Sequence, residues 1–456
     1  MRRANKSEAA RSDSQQPLPT ATASVYRVPV MSVIVAIGLM VWAPAFVMML
    51  SYSILRLDGS PTALFSKISR DGFLGTLYEA WVPYMLGSAK AWKLILPYAA
   101  FELVLMRVLP GKRTEGPITP SGNVPVYKAN GLLAYFITIV AYVVCGHVLE
   151  LFRPADIYDN YMELIGAMNL FSLLFCVALY LKGRFKPSSS DCGISDNLLF
   201  DYYWGTELYP RLFDWDVKMF TNCRFGMMGW ALLIMGYASK QYEAYGLTDS
   251  MVVAVALQLI YITKFFHWEM GYMKSLDIMH DRAGFYLCWG CLVFLPCLYT
   301  SHTLYLVSHP TSLGTPLAAL IFIVGAISIF VNYDADRQRE MVRRTNGDCK
   351  IWGRRPSLIH ATYNTTEGEE KKSLLLSSGW WGISRHFHYI PELMAALSWS
   401  IPALFQSVTS YFYFLFLLIL LTHRAIRDDR RCAEKYGKFW RQYCDQVPYK
   451  IMPFLY

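Results

Sequence analysis

The sequence predicts an all-α polytopic membrane protein of about nine to ten transmembrane helices, with no soluble Rossmann domain. Three observations predict it. Of 456 residues, 54% are hydrophobic, 15% aromatic and only 17% charged, a balance outside the usual range of soluble globular domains. Apolar runs of the length that crosses a hydrocarbon core recur from residue 28 to residue 423. Lys and Arg sit in short clusters between those runs, which is how membrane orientation is encoded, so the net charge of +9 points to the bilayer and not to nucleic acid.

Residues 1–26 are rich in Ser, Ala, Gln and Thr, carry Arg2, Arg3, Lys6 and Arg11, and lack apolar periodicity, which predicts a disordered tail on the cytosolic side. The run that follows, 28–55, is too long for the apolar core of a signal peptide and has no small-residue cleavage site, so it is the first span. Further spans are predicted at 91–109, 131–152, 162–181, 225–241, 250–274, 284–307, 313–333, 389–406 and 408–423. The run 91–109 contains Lys93, Glu102 and Arg107, and almost nothing separates the last two runs, the pattern of a tight re-entrant hairpin.

Charge tests this map. With the tail in the cytosol, Gly111-Lys112-Arg113, the segment 183–222, the loop 334–387 and the C-terminus share the basic side. The other side receives 153–160, 242–248 and 308–312, which hold almost no Lys or Arg. Asn5-Lys6-Ser7 and Asn364-Thr365-Thr366 match the glycosylation pattern but fall on the cytosolic side, so neither is expected to carry a glycan. No repeat or Gly-rich linker interrupts the spans, and 27–456 reads as one domain. The cysteines are scattered, as in a thiol-reducing setting; Cys288 and Cys291 form a C-x-x-C inside an apolar run without a second pair or a His, which reads as packing, and no metal site is expected.

Chemistry concentrates in the last third, where ionisable residues sit beside and within apolar segments at a cost that function must justify. Arg337, Arg339, Arg343 and Arg344 follow the run 313–333, and Arg339 and Arg343 share one helix face, as a phosphate grip or a basic membrane anchor would. Residues 374–389 read LLLSSGWWGISRHFHY, with Trp380 and Trp381 ahead of Arg385, His386 and His388. Such an aromatic wall beside cations suits a nicotinamide or adenine ring with its phosphates, or an interfacial belt. No G-x-G-x-x-G follows a strand, so a dinucleotide would have to bind among helices. Residues 420–437, LLTHRAIRDDRRCAEKYG, end an apolar helix on His423, Arg424, Arg427, Asp428, Cys432, Lys435 and Tyr436. Asp428 is either a surface partner of Arg427 or a partly buried acid able to donate a proton.

The stretch 420–437 and the stretch 199–211, LFDYYWGTELYPR, resemble the two signatures of the sterol C=C reductase family. The similarity continues through 111–131, 220–228, 277–295, 337–347 and 378–389, covers nearly all of 28–456, and is greatest to plant-like members that reduce the 7,8 double bond. The resemblance implies NADPH bound in the portion from about 334 to 456, at Arg339, Arg343, Leu376, Trp381, His388, Tyr389, Asp428, Cys432, Ala433, Glu434, Lys435, Tyr436 and Tyr443. Animal relatives have Lys in place of Arg339 and Asn in place of His388, and both exchanges keep a hydrogen-bond donor.

It further implies an acid system of Tyr261 and Asp428, a sterol pocket among the preceding helices and a substrate of the 7-dehydrocholesterol type. Protonation at C8 and hydride transfer to C7 would saturate C7=C8, in the endoplasmic reticulum membrane and within reach of other sterol-biosynthesis enzymes. Glu269 and Asp277 are candidates for the polar end of the sterol slot or for holding Tyr261, against helix-end solvation. Three alternatives stand beside this: the same chemistry on a 14,15 double bond, a non-catalytic sterol-binding scaffold, and a membrane methyltransferase.

Overall fold

The computed structural model describes residues 26–119, 121–364 and 370–455. Seven of its helices are long and apolar enough to cross a membrane: Val30–Arg56, Gly131–Val148, Tyr161–Phe185, Asp249–His267, Phe285–Ser308, Thr315–Arg344 and Val408–Tyr436. Helices also form at the other three predicted places, Ala89–Val108, Met228–Tyr245 and Tyr389–Ser400. Each falls short of a long apolar span for its own reason. Ala89–Val108 holds Lys90, Lys93, Glu102 and Arg107; Met228–Tyr245 ends on polar residues from Ser239 to Glu243; Tyr389–Ser400 has only 12 residues. Beyond Ser400 a short 3-10 turn stops at Leu404, whose φ is 50°, and the chain reverses into Val408–Tyr436. The last two predicted runs therefore form the tight hairpin expected of them, with Tyr389–Ser400 packed on Phe412–Tyr436. The described residues otherwise contain three two-stranded antiparallel pairs and no larger sheet, so the fold is all-α and polytopic.

Contacts between connections sort the loops onto two ends, as the charge pattern requires. At one end Asn123 Nδ2 donates to Asp191 Oδ2 (2.7 Å), Lys218 Nζ to the carbonyls of Ile278 and Asp281 (2.7 and 2.6 Å), and Arg385 Nη1 to the Val447 carbonyl (2.8 Å). At the other, Arg153 meets Glu243 (3.0 Å), Lys240 meets Asp159 (2.6 Å) and the Leu313 amide donates to Asp249 (2.8 Å). The start of the first span belongs to the first end, because Tyr26 bridges Ser195 and the Asp196 amide donates to the Tyr26 carbonyl (3.1 Å). Tyr26 is thus anchored and not part of the tail; the rest of the tail, the Asn5 glycosylation pattern, and Thr365 and Thr366 of the second lie outside the described residues.

Phe285–Ser308 is the central helix: 83% of its apolar window is buried, against 33–44% in the other six. Its first part widens to π-type hydrogen bonding over Phe285–Phe294 and packs on a second π stretch, Met219–Met227. Cys288 and Cys291 are both buried there, with the Asn222 amide on Cys291 Sγ (3.1 Å). The outer helices carry the opposite pattern. On Thr315–Arg344, Leu320, Ile323, Ile327 and Phe330 are exposed along one stripe while Ile321, Gly325, Ser328 and Asn332 are buried on the other face, which gives lipid an apolar contact surface.

The first signature stretch builds a clasp. Asn197 caps Leu198–Trp204 by accepting from the amides of Leu199 and Phe200 (3.0 Å each). The turn behind that helix needs Gly205: its φ is 94°, and a Cβ there would lie 2.6 Å from the backbone of Ala283 and Gly284. Glu207 then ties the turn down by accepting from Lys182 Nζ (2.8 Å).

Candidate functional site

Two groups of side chains meet at the end of the bundle that carries the basic loops. The first is a ledge of cations and rings. Arg339 and Arg343 lie one turn apart near the end of Thr315–Arg344. Arg339 sits 4.4 Å over the Trp381 ring and pairs with Asp336 (3.0 Å). Arg343 is exposed and has no hydrogen bond or ion pair among the described residues. Trp381 is fixed at both ends: its indole N–H donates to the Ala335 carbonyl (2.7 Å) and its own carbonyl accepts from Tyr443 Oη (3.1 Å). Val342, Ile351 and Leu376 close a small apolar core beneath it. Gly379 opens the turn with φ 62°, and Trp380 stacks on Phe387 at 4.8 Å.

The ring surface continues from Trp381 to His388 (4.8 Å) and on to Tyr389 (4.3 Å). His388 Nδ1 and His386 Nε2 are buried without hydrogen-bond partners among the described residues. Burial pushes His386 down to about 4, against the pull of Asp428 and Asp429, and burial together with the Arg339 charge holds His388 well below its ordinary range. Both rings are therefore neutral at pH 7, and each must gain a proton when exposed below pH about 6.5. Unfolded chains bind more protons than folded ones in that window, so stability falls as pH drops from about 6.5 through about 4. Limited proteolysis against pH is expected to show this loosening. The double variant His386→Gln, His388→Gln is expected to flatten the slope.

The helix Phe412–Tyr436 runs past the ledge. Asp428 is half-buried and makes no hydrogen bond or ion pair among the described residues; its charge acts on His386 and Tyr389. Cys432 and Tyr436 join a second small core with Trp440 and Tyr443, and Lys435 lies 4.1 Å over the Tyr363 ring. Ala433 and Glu434 are exposed on the same helix.

The second group surrounds Tyr261. Its hydroxyl donates to Glu392 Oε1 (2.5 Å), and Trp230 and Trp399 wall its ring at 5.8 and 5.2 Å. Lys264 Nζ lies 5.1 Å over the same ring and donates to Asn332 Oδ1. Asn332 in turn donates to the His388 carbonyl (2.9 Å), so one side chain ties the Tyr261 nest to the ledge. No hydrogen bond joins Tyr261 to Asp428.

Of the roles open to Glu269, holding Tyr261 is not the one it takes: its carboxylate is buried and taken up by Arg224 and by the Gly131 amide (3.1 Å). Asp277 pairs with Arg424 (2.5 Å), four residues before Asp428. Glu392, Lys264 and Asn332 were missed. The signal was present in Glu392, a lone carboxylate in the apolar run 389–406, where burying a charge is as costly as it is at Asp428.

Sequence comparison adds an independent observation. The profile of the Ergosterol biosynthesis ERG4/ERG24 family matches residues 30–456. The chain belongs to this family. Among ERG4/ERG24 relatives, the 7-dehydrocholesterol reductase of Arabidopsis thaliana is 52% identical over 431 residues, 94% of this chain and 98% of that protein. The 7-dehydrocholesterol reductase of Xenopus laevis is 38% identical, with 83% and 80% covered. The Delta(14)-sterol reductase of Methylotuvimicrobium alcaliphilum is 37% identical, with 79% and 82% covered. The ERG4/ERG24 match takes in every residue of the ledge and of the Tyr261 nest, and a membrane-embedded sterol reductase fold with a reduced nicotinamide cofactor suits both.

Proposed function

We propose that the protein is a 7-dehydrocholesterol reductase, which saturates C7=C8 of Δ5,7-sterols with NADPH in the endoplasmic reticulum membrane, both termini facing the cytosol. The observation that carries this reading is the junction at Asn332: a ledge suited to a phosphorylated dinucleotide adjoins a walled phenol suited to an apolar substrate. The ledge fits such a cofactor because it offers a cation, Arg343, and buried ring nitrogens that have no partner among the described residues, beside ring faces at Trp381, His388 and Tyr389. Leu376 and Tyr443 support it from beneath, and Asp428, Cys432 and Tyr436 border it along one helix, with Ala433, Glu434 and Lys435 on its outer side. NADPH bound there supplies the hydride.

The rest of the chemistry falls to the chain. An unactivated C=C accepts hydride poorly, so a proton must reach C8 first and leave an allylic cation over C5 to C7. Tyr261 is the group to which this reading gives that proton: its ring is walled by Trp230 and Trp399, which suit an apolar substrate. Asp277 and Arg424 fix the neighbouring stretch of Phe412–Tyr436.

Membranes containing the protein, given a Δ5,7-sterol and separately a Δ14-sterol with and without NADPH, are expected to lose only the 7,8 double bond, and only with NADPH, by mass spectrometry of the products. Reduction of the Δ14 substrate alone would move the assignment to the 14,15 bond. Reduction of neither would leave a sterol-binding scaffold.

A further inference from the structure

A reductase that spends one proton per turnover needs a route that returns a proton to its acid. Around Tyr261 two groups remain without a use in the proposed reaction. Glu392 is half-buried near the start of Tyr389–Ser400, pairs with no cation, and has Tyr261 as its only side-chain hydrogen-bond partner among the described residues. Lys264 holds its ammonium 5.1 Å above the Tyr261 ring and is fixed there by Asn332. A hydrogen bond of 2.5 Å between a phenol and a carboxyl group is a ready path for a proton, and a cation over the ring offsets the charge of a phenolate.

We infer that Glu392 and Lys264 are the positioning residues that make Tyr261 a renewable acid. The inference rests on the proposed sterol reduction. When the Tyr261 O–H bond breaks, its proton forms the new C8–H bond with the π pair of the substrate, and the ring oxygen is left as phenolate. Lys264 stabilises that charge. Glu392 then takes a proton from water at its half-exposed edge and passes it across the hydrogen bond to the phenolate oxygen. One proton from water and one hydride are consumed per double bond. Asp428, which has no hydrogen bond to Tyr261, is not needed for this step and stays with the ledge.

Glu392→Gln separates this role from a structural one, because the amide oxygen still accepts from Tyr261 but the side chain can no longer take up a proton and pass it on. The measurement is steady-state reduction of the Δ5,7-sterol in light and heavy water. Expected is a fall in kcat of at least about tenfold with an increased solvent isotope effect, KM for sterol and NADPH within about twofold of the parent, and partial rescue by Glu392→Asp. Lys264→Met is expected to lower kcat in the same way. A structural contact alone predicts wild-type kcat for Glu392→Gln, and that result overturns the inference. If Glu392→Gln does not accumulate, Lys264→Met with unchanged kcat overturns it as well. A parent enzyme that reduces neither sterol class would instead bring down the proposed function, and this inference with it.

Discussion

Glu269→Ala is expected to leave little folded protein, with a loss of about 3–5 kcal/mol, the usual consequence of stripping one partner from a buried ion pair. Arg224 is 0% exposed and Glu269 3%, so neither can turn to water when the other is removed. The pair is anchored on three sides. Arg224 Nη2 reaches Glu269 Oε2 (3.3 Å) and Asn130 Oδ1 (2.9 Å), and the Gly131 amide donates to the same carboxylate oxygen (3.1 Å). Those contacts join the helices starting at Gly131 and Glu269 to the π stretch Met219–Met227, so the loss would be felt across the bundle.

Fluorescence-detected size exclusion and a thermal ramp in detergent would measure it. Replacing both partners by methionine is expected to recover much of the loss, since paired burial of charge is close to neutral against apolar packing. A Glu269→Ala protein with the parental melting temperature would instead return this carboxylate to the substrate site, beside the cleft that it lines with Asn130 and His267.

This pair also marks what could be read in the sequence and what could not. Spans were legible because length and hydropathy are local: a helix forms in each of the ten predicted runs and seven of these are long and apolar enough to cross a membrane, while the shortness of Tyr389–Ser400 follows from Pro402 and the reversal at Leu404. The basic and non-basic loops were legible for the same reason. The ledge was legible in part, because Arg339 and Arg343 declare their shared face by spacing alone. Long-range pairing was not. Glu269 is 45 residues from Arg224 and Tyr261 is 131 from Glu392, and nothing along the chain says which carboxylate takes which partner. Glu392 was also disguised, since an acid in the first turn of a helix has an ordinary explanation in the helix dipole. The first signature was recognisable as a motif while its role was not: only the approach of Gly205 to Ala283 and Gly284 shows that it fastens two loops.

Arg343→Ala is expected to raise the KM for NADPH by about ten- to a hundredfold, the equivalent of one or two charge-assisted hydrogen bonds to phosphate. The site is favourable for such a test because the free protein has little to lose there. Arg343 is exposed and holds no partner among the described residues, so its removal strands no buried group and is expected to leave the melting temperature almost unchanged. Arg339 would be a poorer probe: it is bound to Asp336 and packed on Trp381, and its loss would disturb the ledge itself.

The expected pattern is a higher KM with kcat nearly intact at saturating cofactor, since a phosphate grip binds ground state and transition state alike. Initial rates across a wide NADPH range at fixed sterol, repeated with NADH, would read it. If Arg343 meets the phosphate that distinguishes the two dinucleotides, the variant is expected to use NADPH and NADH with similar KM. An unchanged NADPH dependence would leave Arg343 as a basic anchor at the membrane face and move the phosphate site elsewhere on the ledge.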